Sequence, residues 1–354
     1  MIYGRVKRMK FKKLLLAAFL SCGAFATAAA QTAVEIPEDY AAAEVKTAFN
    51  ADGPKLLFSD SPEMVYQTGI LYRDTVQGAV RIFFHHVNAT SGDKKLAVLL
   101  RNADQLRPVH YTVKRKGVSQ PDYNYMNAGK KAERDYFDEA QQQQERGALG
   151  FGVSRELLSG CGALLPVNEL LTGMLDLELE RPAQISVLLC EPQTDVEIFD
   201  ESAPVLPMDE HPLRGTFANS DWHYTLKKPV QRGKAPYRLK LAGAEEGYAK
   251  GVDATTGLAA ENYGNYGVVY QVDFTVAGDK PVNLLLNPLG GAFAGYGVLQ
   301  SAHGRMLLAL PDYDLCVGER FEEAVNLGRL QPGAYSFIWS PPGASNLPVE
   351  LIWR

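Results

Sequence analysis

Cysteine is scarce in this chain: Cys22, Cys161, Cys190 and Cys316 are the only four in 354 residues. No two stand in a Cys-x-x-Cys pair, which argues against a structural zinc. Cys22 falls inside a leader described below, so the remaining three allow one disulfide at most, with a thiol left over. Cys190 closes an apolar run at 185–189 and reads as a small buried hydrophobe. A chain with so few cross-links must be held by its core, and about 320 residues of core divide most naturally between two domains. Beyond residue 30 no apolar run is long enough to span a bilayer. The catalytic signatures Gly-x-Ser-x-Gly and His-Glu-x-x-His are also missing.

Basic residues are in deficit too, once the first thirty are set aside. That stretch carries Arg5, Lys7, Arg8, Lys10, Lys12 and Lys13, six of the 36 basic residues, and no acid. The remainder holds 30 basic against 41 acidic residues, a formal net charge of −11. Phosphate backbones need a cationic surface, so nucleic acid is a poor partner for it. Residues 1–30 themselves have the parts of a secretory signal: the basic region, an apolar stretch at 14–25, and the small-residue cleavage sites Ala26-Thr27-Ala28 and Ala28-Ala29-Ala30. Met9 is an alternative start to Met1, because Met9-Lys10-Phe11-Lys12-Lys13 makes a complete basic region alone. Cleavage near Ala28 or Ala30 is the expectation, giving a secreted or cell-envelope protein. Lipid anchoring through Cys22 is the alternative; against it, Phe19 stands where such signals usually carry leucine.

The sequence is rich in strand patterns. Along 80–87, Val80, Ile82, Phe84 and His86 alternate with Arg81, Phe83, His85 and Val87, the period of two that a half-buried strand requires. Further strands are expected at 69–78, 95–101, 109–116, 174–179, 185–190 and 196–199, and again at 268–276, 282–286, 305–310, 334–340 and 349–353. One helix is expected over 130–146. Residues 200–212 hold three prolines and four acids and read as a linker. The predicted fold class is therefore all-β, two antiparallel β-sandwich or jelly-roll-like domains with one short helical segment. The predicted division is 1–30 signal peptide, 31–54 N-terminal leader, 55–199 first domain, 200–214 linker and 215–354 second domain.

Candidate site residues compete with structural readings. His85 and His86 suggest a metal, but neighbours on a strand point to opposite faces and ligate one ion only across a bulge. One hydrogen-bonded histidine near the core and one at the surface is the plainer expectation. Asp312, Asp314, Glu319, Glu322 and Glu323 offer oxygen ligands to calcium, although their spacing fits no EF-hand. Asp74 and Asp104 are a conceivable carboxylate pair for glycoside hydrolysis, with nothing in the sequence to fix their separation. The glycines of 290–297 lack the ending of a phosphate loop and read as a turn. Seventeen tyrosines, many beside glycine-rich turns, suggest a sugar-stacking surface as readily as strand faces. Tyr72, Asp74 and Arg81 are the residues singled out for ligand contact.

A resemblance rests on the runs Leu57-Phe58-Ser59-Asp60-Ser61-Pro62-Glu63, Gly69-Ile70-Leu71-Tyr72-Arg73-Asp74-Thr75-Val76-Gln77-Gly78 and Arg81-Ile82-Phe83-Phe84-His85-His86-Val87-Asn88, with Leu286-Asn287-Pro288-Leu289-Gly290-Gly291 and Pro341-Pro342-Gly343-Ala344-Ser345-Asn346-Leu347-Pro348-Val349. They resemble exported bacterial proteins labelled as containing a copper amine oxidase-like domain. The accessory module behind that label is not found here. A true amine oxidase builds its quinone from the tyrosine of an Asn-Tyr-Asp/Glu motif and binds copper with three histidines. The candidates in this chain are Asn124-Tyr125-Met126, Asn262-Tyr263-Gly264 and Asn265-Tyr266-Gly267, none followed by an acid, and there is no His-x-His pair. The resemblance thus implies export and a β-rich architecture rather than oxidase activity. The expectation is a non-enzymatic envelope protein binding a cell-wall polymer, glycan or envelope protein, with no cofactor. A carbohydrate-active hydrolase and a copper-binding protein are the alternatives.

Overall fold

The computed structural model describes residues 31–37, 40–104, 106–158, 164–233, 235–320 and 323–354. The expected signal peptide, Cys22, Cys161 and Glu322 lie outside the described residues. The described residues are mostly β-strand with two α-helices, an all-β sandwich-like fold. Among the described residues no helix is long and apolar enough to cross a membrane.

Two unusually long strands form the frame: β1, Gly69–Asn88, and β2, Leu170–Cys190, of 20 and 21 residues. They pair antiparallel along nearly their whole length. Strands this long must bend, since ordinary ones run about 3–10 residues. The bend has a cause in the sequence. Pro182 donates no backbone hydrogen bond, and the register slips between Leu179 and Ala183, where β2 bulges. Opposite the bulge, Gly78 sits at φ 83°, a conformation that costs a residue with a Cβ. Either side of the bend β2 changes its second neighbour, from Val109–Val118 to Lys94–Asn102. The twelve-stranded sheet so formed wraps around its own core, which includes Leu71, Ile82, Phe84, Val98, Leu100, Leu175 and Ile185.

The rest of the chain folds as two six-stranded sheets facing each other across a second core of Trp339, Tyr270, Phe337, Trp353 and Leu284. In order, one sheet runs Ala33–Glu35, Glu323–Leu330, Val282–Pro288, Val349–Trp353, Tyr237–Leu241, Ala43–Glu44. The other runs Gly304–Leu310, Gly295–Ser301, Gly333–Trp339, Val269–Val276, Asp221–Leu226, Thr47–Asp52. Ala33–Glu35, Ala43–Glu44 and Thr47–Asp52, within the stretch expected as an N-terminal leader, are thus edge strands of this sandwich. Pairing is not purely antiparallel: Asp221–Leu226 runs parallel to Val269–Val276, and Lys55–Ser59 parallel to β1.

The expected domain border is also crossed, because Arg214–Phe217, Ala249–Asp253 and Leu258–Asn262 extend the twelve-stranded sheet. The 200–214 stretch is tied down rather than free: Ser61 Oγ donates to Asp209 Oδ1 at 2.8 Å and Glu63 N to Oδ2 at 2.8 Å. Helix α1, Tyr125–Phe137, starts five residues before the expected helix because the Asn124 side chain caps it, accepting from Asn127 N. It ends at Asp138, and Glu145–Leu149 is a strand instead. Residues 196–199, expected as a strand, begin helix α2, Val196–Ser202, which Asp195 caps by accepting from both Glu197 N and Ile198 N.

Candidate functional site

The residues singled out in β1 are framework. Arg81 is buried and donates through Nε to Asp176 Oδ1 at 2.8 Å, through one amino nitrogen to Asp176 Oδ2 at 3.2 Å, and through the other to Asp221 Oδ1 at 2.8 Å and Ser220 O at 3.0 Å. Tyr136 of α1 adds its hydroxyl to Asp176 Oδ2 at 2.8 Å and its ring face to the guanidinium. The two carboxylates hold Arg81 firmly charged against the cost of its burial. Arg81 therefore joins the two halves of the molecule and has no face for a ligand.

Tyr72 and Asp74 are likewise engaged. Thr216 Oγ1 donates to Asp74 Oδ2 at 2.6 Å, and the Tyr72 hydroxyl meets the same Thr216 oxygen at 2.8 Å. Burial pushes the Tyr72 phenol up to about 12. Asp104, its imagined partner acid, spends its oxygens on its own loop, accepting from Leu106 N, Arg107 N and Arg107 Nε.

His85 and His86 point to opposite faces of β1, and both are buried, where one was expected at the surface. His86 Nδ1 lies 2.9 Å from Pro62 O, which can only accept, so that nitrogen carries the proton. Its Nε2 then accepts from Ser59 Oγ at 2.8 Å. On the other face Thr172 Oγ1 spends its proton on Phe84 O, so His85 Nδ1 donates to it at 3.1 Å. Desolvation holds the His85 imidazole down to about 3, with His86 adding to the effect, and holds His86 down to about 4. Both rings are neutral and committed to protein partners, and they share no ion. Ser59 and His86 have the contact of a nucleophile and its base, but both are fully buried and neither borders a described cavity. No group of three or more metal-ligating side chains assembles among the described residues.

The stretch around Asp312, weighed as a source of calcium oxygens and read by preference as a solvated loop, is approached by a lysine that takes its backbone carbonyls and not its carboxylates. Lys130 Nζ of α1 donates to Pro311 O at 2.6 Å and to Asp314 O and Leu315 O at 2.9 Å each. Cys190 and Cys316 are free thiols, each pushed up to about 11 by burial.

A cleft of about 590 Å³ opens elsewhere, at the edge where the two six-stranded sheets part. The chain crosses from one sheet to the other there, from Ala43–Glu44 to Thr47–Asp52, and leaves the aromatic interior showing. Phe49 is 53% exposed and packs on Tyr224 with ring centroids 5.0 Å apart and on Trp222 at 5.4 Å. Tyr224 stacks on Tyr270 at 6.2 Å, and Tyr270 on Trp339 at 5.3 Å, so one aromatic column runs from solvent into the core. Glu246 anchors it: Oε1 accepts from Tyr224 OH, and Oε2 from Tyr270 OH at 2.9 Å and Ala242 N at 2.8 Å. Burial raises the Glu246 carboxyl, and the donors from Tyr224, Tyr270, Ala242 and Asn265 pull it back. Tyr248, Lys240, Glu44 and Glu245 complete the wall and rim. This is a concave site with apolar faces and a few fixed polar groups, the usual make-up of a ligand cleft.

No family model and no curated protein matches this chain. Distant likenesses to solved structures exist. One is the PBSX exported protein XepA, 11% identical, covering 81% of this chain and 86% of that one with a TM-score of 0.17. Another is an oxalate decarboxylase formate complex from Lactobacillus farciminis, 10% identical over 88% and 87% with a TM-score of 0.16. A third is the Streptomyces albus HEPD with 2-hydroxyethylphosphonate and Fe(II), 9% identical over 92% and 70% with a TM-score of 0.15. At these TM-scores none carries an argument about this chain.

The cleft residues gave little warning in the sequence, apart from the abundance of tyrosine. They come from 44–49, 224 and 240–248, stretches that only strand pairing brings together.

Proposed function

We propose that this chain is an exported cell-envelope protein that binds a surface glycan through the sandwich-edge cleft. The observation that carries the reading is the aromatic column that starts at the exposed Phe49 and runs inward through Tyr224 in the wall of the cleft, with Glu246 fixing its polar end. A sugar ring offers an apolar face to stack and hydroxyls at its rim to bond, and this cleft offers the complement of both. The basic and apolar leader, and the resemblance to exported bacterial proteins, support the location. Binding is favoured over hydrolysis because both oxygens of Glu246, at the inner end of the cleft, already accept from protein donors, while Glu44 and Glu245 are exposed carboxylates of its rim.

The test is retention of the purified protein on cell-wall sacculi, with and without a chelator. Retention unaffected by the chelator, and lowered at least about tenfold by Phe49→Ala, supports the reading. Equal retention of parent and variant, or no retention, overturns it. Release of reducing ends during incubation would favour the hydrolase instead.

A further inference from the structure

A second depression of about 480 Å³ lies beside the cleft, walled by Lys250, Leu258, Glu261 and Tyr263. Only one ridge divides the two: Tyr248, in the wall of the cleft, packs edge-on against Tyr263, in the wall of the second depression, with centroids 5.4 Å apart at 72°. Tyr263 is 50% exposed and Leu258 60%, so the ridge and the far wall both present apolar surface to solvent.

The charges of the two depressions are nearly balanced. The floor of the second is Arg214, buried beneath it, and all five of its N–H groups are spent inside the protein. Nε and one amino group meet Asp253 Oδ2 at 3.2 and 3.0 Å, the same amino group reaches Thr255 Oγ1 at 3.0 Å, and the other amino group meets Leu71 O and Leu206 O at 3.0 and 2.9 Å. Arg214 therefore offers nothing to an anion. Lys250 is offset by Glu261 in the same wall. In the first cleft Lys240 lies 3.5 Å from Glu245, which leaves Glu44 at the rim and Glu246, held by neutral donors, as the carboxyls without a cationic partner. A phosphate-bearing or uronic polymer would meet a surface of neutral or negative sign.

Resting on the glycan reading of the first cleft, we infer that the two depressions form one continuous groove. Its ligand is an uncharged polysaccharide, several rings of which lie across the Tyr248–Tyr263 ridge. Two adjoining contact regions on one chain make affinity rise with chain length, because the second contact is made at high effective concentration.

The purified full chain is titrated calorimetrically with ladders of one to six rings of neutral oligosaccharides: β-1,4-glucose, β-1,4-N-acetylglucosamine, β-1,3-glucose and α-1,4-glucose. Poly(glycerol phosphate) serves as the anionic comparison. The expected result is that six rings of at least one ladder bind at least about tenfold more tightly than one or two. Tyr263→Ala should bring the ratio of six-ring to two-ring affinity down to near one. Tyr263 is half exposed, so the variant keeps its fold, which an unchanged circular dichroism spectrum verifies. Length-independent affinity, or no effect of Tyr263→Ala, overturns the groove while the single-cleft reading stands. Binding of poly(glycerol phosphate) alone overturns the uncharged assignment. Failure of every neutral oligomer to bind overturns the groove and the glycan reading together.

Discussion

Arg81, at the residue scale, shows why a conspicuous charge in a strand is a poor guide to a binding site. Its two carboxylate partners come from β2 and from Asp221–Leu226, so the charge is spent on joining parts of the fold. Replacing it with methionine strands Asp176 and Asp221, which retain 20% and 29% side-chain exposure. The expected loss is therefore near the low end for a broken buried pair, about 3 kcal/mol in a urea titration. Buried titratable groups here pull in opposite directions with pH. His85 and His86 have folded pKa values below the unfolded 6.5, at about 3 and about 4. The stability they contribute is present above pH 6.5 and is lost as pH falls toward those values. Either His85→Gln or His86→Gln should make the stability-against-pH slope between 6 and 4.5 shallower than the parent's, by up to about 1.4 kcal/mol per pH unit. Glu133 of α1 has the reverse sign. Desolvation raises its carboxyl well above the ordinary value, and its Oε1 has no hydrogen-bond partner. Its contribution is complete below about pH 4.5 and is lost as pH rises. Glu133→Gln should raise the denaturation midpoint at pH 7 and make no difference near pH 4. Equal effects at both pH values would show that packing, not ionisation, governs the site.

At the scale of elements, α1 is held between sheet and loop by glycines. A Cβ on Gly117 would lie 2.2 Å from Ala132 O and 2.3 Å from Tyr136 N, both backbone atoms of α1. The helix must lift to admit it, so Gly117→Ala should cost about 1–3 kcal/mol, read from the denaturation midpoint. Much at this scale was legible in the sequence. The alternation along 80–87 places Val80, Ile82 and Phe84 in the first core and Arg81, Phe83 and His85 on the opposite face, as its period of two requires. The β-rich pattern was legible for the same reason, and the helix expected over 130–146 from its Glu, Ala and Gln content overlaps the second half of α1. Boundaries set by a single side chain were not. Asn124 moves the helix start, and Asp195 turns an apolar stretch with strand propensity into a helix. The cleft was hidden more deeply, since Phe49 meets Tyr224 only because their strands pair across some 170 residues of sequence. Periodicity reports which face a residue occupies and carries no information about which distant strand lies beside it.

The whole molecule depends on its first described strands. Residues 33–52 supply an edge to both sheets of the sandwich and carry Phe49 into the cleft. A chain beginning at residue 53 should lose sacculus retention entirely and unfold at a lower denaturant concentration than the parent, both measurable on one preparation. A variant keeping the strands but carrying Phe49→Ala should lose only the first. The same arrangement has a temporal side. Ala33–Glu35 pairs with Glu323–Leu330, and Ala43–Glu44 with Tyr237–Leu241, which in turn pairs with Val349–Trp353, the last strand of the chain. Synthesis must therefore reach residue 353 before this sandwich can close, and such sequence-distant pairing closes slowly. Under the export proposed above, that delay would be useful, keeping the chain threadable for as long as these strands are still being made.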